Sequence, residues 1–416
     1  VGPAATFIII VKSFIGTGVL TIPRAFSLGG ILFAPIVMGI VGVYSLHCML
    51  LLITCRRKVP ARSCGYAELG QLAYGPEMSL LIKISVIMSQ CGFCCGYCIF
   101  ISHNVLQVMT SLGAAPPWLT EGTLVGLQMF IHVPLAWIRQ MKHFAIPALI
   151  AEVCILMGVL VIAGYAVYTI RRPQWKANPP ELELFDREHF AIFIGMVTSA
   201  FEGIAIILPI YDSMDDPKPF TKLLSANITL MMVSYTLFAC LGYAAFGTAV
   251  HDVIILDLPS PSLLSGFIQL AYCVAIVFTF PLQLLPAVQI MEKGIPKSVI
   301  MQNFFRLLVV SLIGLVAFAS TEHLEHLLSF VGALCCTPLA FIFPGLIHYK
   351  LSGGGRLSKA RDLLYTLGGI VVMTYVLYMS VYAVLYDPPH RTPATSHPAV
   401  AADGIGSVPN LLSDPT

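Results

Sequence analysis

Long apolar runs separated by short polar segments extend from the first residues of the chain to about position 386. Eleven runs stand out, at about 5–27, 29–54, 78–110, 121–138, 144–169, 189–211, 223–246, 262–291, 303–320, 324–348 and 363–386. Each is long enough to cross about 30 Å of hydrocarbon as an α-helix, with the shortest marginal and the longest tilted or projecting. Only helices satisfy their own backbone groups inside lipid without closing a barrel, so the pattern predicts an all-α polytopic membrane protein.

Composition agrees: 57% of the 416 residues are hydrophobic, 11% are charged, and the mean hydropathy is +0.85, which excludes a soluble globule of this size. The net charge of +2 says little, but the placement of the charges sets a topology. With a cytosolic N-terminus, sixteen Lys and Arg fall in or beside the even-side segments, from Arg56, Arg57 and Lys58 through Arg139 and Lys142 to Arg361, against five on the other side. That bias fits both the odd span count and a luminal or extracellular C-terminus. Lys12 and Arg24 lie within the first span. The twelve cysteines sit mostly in apolar runs, as Cys94, Cys95, Cys335 and Cys336 do, and read as small packing residues, not as a disulfide framework or a metal site. The chain opens at Val1, almost within a span, so a polar N-terminal extension is expected; the segment from Asp387 is expected to be a flexible tail.

Two apolar runs are interrupted. Gly16-Thr17-Gly18 breaks the first, and Phe201-Glu202-Gly203, with Pro209 beyond, breaks the sixth. Glycines weaken a helix where lipid demands continuous hydrogen bonding, and a carboxylate in an apolar span must face protein or an aqueous cavity. Small-residue packing is the structural alternative for the glycines, and a bonded structural carboxylate the alternative for Glu202. Spans one and six hold equivalent places in two sets of five, the pattern of an inverted-repeat secondary transporter with its site near the midplane. The expected division is a first repeat at 1–170, a second at 171–350, an eleventh span at 351–386 and a tail at 387–416.

The run Lys12-Ser13-Phe14-Ile15-Gly16-Thr17-Gly18-Val19-Leu20 with Pro23 resembles the opening motif of the amino acid/auxin permease family, within the amino acid-polyamine-organocation superfamily. Supporting segments are Tyr44-Ser45-Leu46-His47-Cys48-Met49, Ser89-Gln90-Cys91-Gly92-Phe93-Cys94-Cys95-Gly96-Tyr97, Phe201-Glu202-Gly203-Ile204 and Ile255-Leu256-Asp257-Leu258-Pro259. Taken together they are most similar to the proton-coupled and vacuolar amino acid transporters. The resemblance implies a leucine-transporter-like 5+5 inverted repeat with broken helices one and six and an eleventh span, carrying small neutral amino acids with protons at a vacuolar, lysosomal or plasma membrane. Two positions depart from it: Thr21 stands where relatives often carry glycine, and Arg24 where an apolar or aromatic residue is usual.

A zwitterionic substrate needs an anion site beside a cation acceptor. The half-helix after Gly18 offers unpaired N–H groups to the carboxylate, while carbonyls near Phe14, Ile15, Ala200 and Phe201 accept from the ammonium. Gly16, Gly18 and Gly203 admit close approach, Thr17 adds a hydroxyl, and Phe14 and Phe201 are candidate gates or ordinary packing. For proton coupling the leading candidate is Glu202, because a carboxyl group holds its proton when buried and releases it on hydration. His47, with a neutral hydrogen-bonded core histidine as its alternative, and Glu152 follow, and Lys12 either pairs with a carboxylate or snorkels toward the cytosolic face. Glu322, His323, Glu325 and His326 read as a solvated loop, and Asn227-Ile228-Thr229 as a sequon hidden within a span. No Walker or Rossmann pattern occurs, so neither ATP-driven transport nor a cofactor is expected, nor an enzyme, and the expected partners are amino acids and membrane lipids, with no nucleic acid. A channel without proton coupling and a transporter-like amino-acid sensor are the rival readings.

Overall fold

The computed structural model describes residues 2–14, 17–59, 64–139, 145–258, 263–296 and 298–386. Ile15 and Gly16 of the first break, and the tail from Asp387, therefore lie outside the described residues. The helices are α1 (Pro3–Phe14), α2 (Ile22–Gly29), α3 (Phe33–Lys58), α4 (Tyr66–Tyr74), α5 (Pro76–Ser111), α6 (Glu121–Trp137), α7 (Ala145–Arg171), α8 (Pro173–Ala177), α9 (Phe190–Ala200), α10 (Ile204–Asp212), α11 (Phe220–Phe246), α12 (Leu263–Met291), α13 (Val299–Ala319), α14 (Leu324–Val331), α15 (Phe343–Leu351) and α16 (Arg356–Tyr386). Among the described residues nine segments are long and apolar enough to cross a membrane, and the bent pair of α1 and α2 makes a tenth. The remaining apolar run forms α6, whose 17 residues cover about 25 Å. Every expected span is thus a helix or a broken pair of helices. The amphipathic α4 and the short α8 add to that pattern.

Lipid-facing stripes follow helical spacing. Leu149, Val153, Leu156 and Leu160 on α7, and Leu308, Leu312 and Leu315 on α13, are each more than half exposed. In lipid that exposure carries no hydrophobic cost, and the opposite faces of these helices meet the bundle. Span hydroxyls are satisfied from within: Thr54 donates to Leu50 O, Thr198 to Ile194 O and Thr279 to Ala275 O, each one turn back at 2.8–2.9 Å. Asn227 does the same to Leu223 O inside α11, so the formal sequon is buried in a helix.

The interior spans meet through small residues. A Cβ on Gly195 of α9 would strike Ser329 of α14, and one on Gly332 would strike the Gly195 carbonyl, so these backbones touch directly. Past that contact the tenth span widens into two π-helical turns, Gly332–Cys336 and Pro338–Ile342, before α15 resumes. Such turns leave the regular bonding ladder and bring the middle of this span beside the second break.

The connections sort onto two ends of the bundle. At one end Arg56 pairs with Asp212 at 2.9 Å, Arg57 donates to Thr221, Lys58 to Ser352 O and Arg139 to Asn303. Arg306 holds Glu292 through Nε and Nη2 at 2.7 and 2.9 Å and also donates to Ala136 O. These five even-side basic residues thus bond to the ends of helices that meet at that end of the bundle, in keeping with alternating crossing. Arg306 is almost fully buried, and removing one member of a buried pair strands the other charge. Arg306→Met is expected to cost about 3 kcal/mol of stability, seen as a lower melting temperature in detergent, with Arg306→Met/Glu292→Gln recovering part of the loss. An unchanged melting temperature in the single variant would contradict the pairing.

Candidate functional site

The first break begins where α1 ends at Phe14, and the chain resumes as a 3₁₀ turn, Thr17–Thr21, ahead of α2. The axes on either side differ by 48°. Because the turn precedes α2, the leading N–H groups at the break belong to Thr17 and Gly18 and not to α2 itself. Thr21 donates its hydroxyl to Gly18 O at 2.9 Å. Gly18 is exposed, and a Cβ built there would meet no atom within 4 Å, so open space borders this backbone. The side chain of Thr17 lies outside the described residues.

In the second break α9 ends at Ala200, Phe201-Glu202-Gly203 turns, and α10 starts at Ile204. Phe201 is fully buried, with its ring end against Gly42 of α3. The Glu202 N–H bonds Ser199 O at 3.2 Å. Its Oε1 is enclosed with no hydrogen-bond partner among the described residues, and the carboxyl interacts electrostatically with Tyr66, Cys335 and Cys336. Tyr66 donates its own hydroxyl to Leu339 O at 2.6 Å, in the second π-helical turn.

The two breaks meet. A Cβ on Gly203 would lie 2.5 Å from the Phe14 ring, so only glycine lets that ring sit against the second break. The Phe14 carbonyl, freed by the end of α1, accepts a hydrogen bond from the buried Tyr235 hydroxyl of α11 at 3.1 Å. One of the carbonyls expected to serve a substrate ammonium thus already has a protein partner, leaving its second lone pair. The Tyr235 ring faces Phe201 at 6.5 Å between centroids.

The remaining candidates are divided. Glu152 on α7 interacts electrostatically with Lys12, Tyr235 and Tyr272, which ties it through Tyr235 to the first break. His47 on α3 faces α15 and α16: its ring lies 5.0 Å from that of Tyr365, beside Arg361, Asp362 and His348. There Asp362 is fully buried and holds His348 Nδ1 at 2.6 Å, an arrangement that clamps α16 to the tenth span. None of these neighbours of His47 belongs to a break.

Sequence reasoning missed Tyr235, since nothing along the chain links position 235 to position 14. It also misread the 322–326 segment. Glu325 is buried in the first turn of α14 and pairs with Arg24 Nε at 2.8 Å, so it is no part of a solvated loop. The signal was present in Arg24 itself, a charge near the end of an apolar span that must find a counter-ion in the bundle. The Glu322-His323-Glu325-His326 spacing forms no metal-binding group among the described residues.

Comparison with known proteins places the chain as follows. The profile of a family described as transmembrane amino acid transporter protein matches residues 2–385. Vacuolar amino acid transporter 3 of Schizosaccharomyces pombe is 33% identical over 90% of this chain and 57% of its own length. Vacuolar amino acid transporter 3 of Saccharomyces cerevisiae is 34% identical over 90% and 56% respectively. The chain therefore spans a little over half the length of these yeast relatives. Amino acid transporter AVT3B of Arabidopsis thaliana is 30% identical over 90% of this chain and 91% of its own. Among solved structures the manganese transporter of Eremococcus coleocola, crystallised with an aromatic bis-isothiourea compound, superposes with a TM-score of 0.50 at 14% identity over 93% of this chain and 88% of that one. At that identity the likeness concerns the fold, which is leucine-transporter-like with broken first and sixth spans.

Tyr235→Phe removes the hydroxyl that satisfies the Phe14 carbonyl, at an expected cost of about 1–2 kcal/mol. Amide hydrogen exchange should speed up in the last turn of α1 while α2 is unaffected. Equal exchange at 10–14 in the variant and the parent would show that the hydroxyl does not hold α1.

Proposed function

We propose that this chain, which belongs to the transmembrane amino acid transporter protein family, is a secondary transporter that moves small neutral amino acids with protons by alternating access. The observation that carries the reading is the junction of Phe14 with Gly203, which brings two interrupted spans, five apart in order, to one point inside the bundle. At such a junction, backbone donors and acceptors face each other without helical partners, and a zwitterion supplies the complementary groups. The substrate carboxylate takes the N–H groups at Thr17 and Gly18, bordered by open space. The ammonium takes carbonyls around Phe14, Ala200 and Phe201. Ile15 and Gly16 belong to the same proposed site although they lie outside the described residues.

Glu202 carries the proton in this reading. Its enclosed Oε1 favours a neutral carboxyl, while access of water on opening favours ionisation. His47 and Glu152 are the second and third candidates, the latter tied to the first break through Tyr235 and Lys12. The repeats comprise 1–170 and 171–350, with the eleventh span clamped outside them. The names of the yeast relatives support a vacuolar membrane, and the basic end of the bundle supports placing that end, with the N-terminus, in the cytosol. An acidic lumen would then drive amino acids outward to the cytosol.

In proteoliposomes, uptake of a radiolabelled small amino acid should rise with an imposed inward proton gradient. Glu202→Gln should keep binding but lose the response to the gradient. Uptake by the parent protein that ignores the gradient would sink proton coupling and leave facilitation. Gly18→Val puts a branched side chain into the open space at the break and should weaken substrate binding at least tenfold in a protein that still folds. Undiminished affinity there would move the site elsewhere.

A further inference from the structure

At the end of the bundle opposite the basic loops, charged groups from five separate elements converge on Arg24. Its Nε lies 2.8 Å from Glu325 Oε2 on α14 and 3.5 Å from Asp252 Oδ1 in the segment after α11, and its Nη1 donates to Thr248 O at 3.4 Å. Beside Asp252, His251 meets the almost fully buried Asp257 through Nδ1 at 2.6 Å, and Asp257 also accepts the His251 N–H. His103 on α5 faces Asp252 as well and donates through Nε2 to Thr321 O at 3.0 Å and Glu121 at 3.2 Å. His326 lies 3.9 Å from the second oxygen of Glu325, with the His323 ring packed on it. At the margin, His189 and Asp186 pair at 2.7 Å, with His189 also within electrostatic reach of Glu325 and Glu188.

The charges do not balance without protons. One permanent cation, Arg24, faces the carboxylates of Glu325, Asp252 and Asp257, Glu121 joins them through His103, and the histidines His103, His251 and His326 stand among them. Carboxylates gathered this closely repel, and the set becomes neutral only when it takes up three protons, on the imidazoles or on a carboxyl such as that of Asp252. The same residues close this end. Every residue of α2 except Arg24 is buried, whereas α1, across the break, leaves Ile8 and Ile9 exposed.

We propose that this cluster is a proton-binding latch: bringing α2, α14 and the 248–258 segment together takes up protons from that side, and opening returns them there. Because the protons come back to the same side, the latch biases which end is open and moves no net charge, and it is separate from a coupling proton at Glu202. It rests only on the alternating-access part of the reading above. The direction follows from the loop groups. His251 is held above the usual imidazole value by its bond to Asp257, and Asp252 above the usual carboxylate value by burial and then by Glu325. A group with a raised value in the closed form stabilises it at low pH, and this support fades as pH rises through that value. Acid therefore closes the latch.

The test is amide hydrogen exchange of the intact protein in nanodiscs at pH 5.5 and 7.5, corrected for the intrinsic pH dependence of exchange. Residues 248–258 and 320–326 should be at least about tenfold better protected at pH 5.5, since one proton taken up on closing changes the closing equilibrium by up to about a hundredfold over two pH units. α13 should not respond. The double variant His103→Gln/His251→Gln should show a much smaller pH difference in both segments, and each single variant an intermediate one; a double variant that keeps the full difference would also count against the latch. Equal protection of the parent at the two pH values, or an equal response throughout α13, would overturn the latch. Amino acid uptake that fails while pH-dependent protection persists would count against the substrate reading alone. Uptake that proceeds while protection ignores pH would count against the latch alone.

Discussion

The structure depends on one constraint: inside lipid, a backbone group that leaves a helix must find a partner in the protein or open onto a polar cavity. At the end of α1 that partner is the Tyr235 hydroxyl, delivered from α11 to the Phe14 carbonyl. At the second break it is a tight turn in which Glu202 N–H bonds back to Ser199. The absence of a side chain at Gly203 then lets Phe14 lie on that turn, so the two solutions lock together. The contact of Gly195 with Gly332 and Ser329 brings the tenth span close enough for its widened middle to lie beside Glu202.

The two ends of the bundle are closed by different chemistry. The basic end is stitched by one-to-one pairs such as Arg56 with Asp212 and Arg306 with Glu292, in which each permanent cation has its own carboxylate. At the other end Arg24 is shared between Glu325 and Asp252, and titratable imidazoles stand among the carboxylates. The permanent ion pairs of the first kind hold through mild pH change, whereas imidazoles such as those around Arg24 respond to it.

The legible part of the fold was the part that depends on local composition. All eleven spans were readable because hydropathy acts over a window of some twenty residues, and the breaks because glycine and a lone carboxylate violate that pattern where they stand. His47 shows the limit: a histidine in an apolar run signals a polar environment but does not say which one. Its neighbours, Tyr365, Arg361 and His348, lie some 300 residues along the chain and became neighbours only when α15 and α16 packed on α3. The segment 322–326 failed for the same reason. Judged by its neighbours in sequence it is a polar loop, and judged by its neighbours in space it holds the buried partner of Arg24.

The sequence by itself therefore determined the membrane class, the order of the spans and the two places where helix gives way. These follow from transfer free energies and backbone preferences that each residue carries with it. Tertiary structure decided which residues complete those places: Tyr235 on the first break, Phe14 against Gly203, Glu202 beside Cys335 and Cys336, and Arg24 between Glu325 and Asp252. Such pairings depend on distance and burial between segments far apart in the chain, quantities that do not exist until the spans have packed.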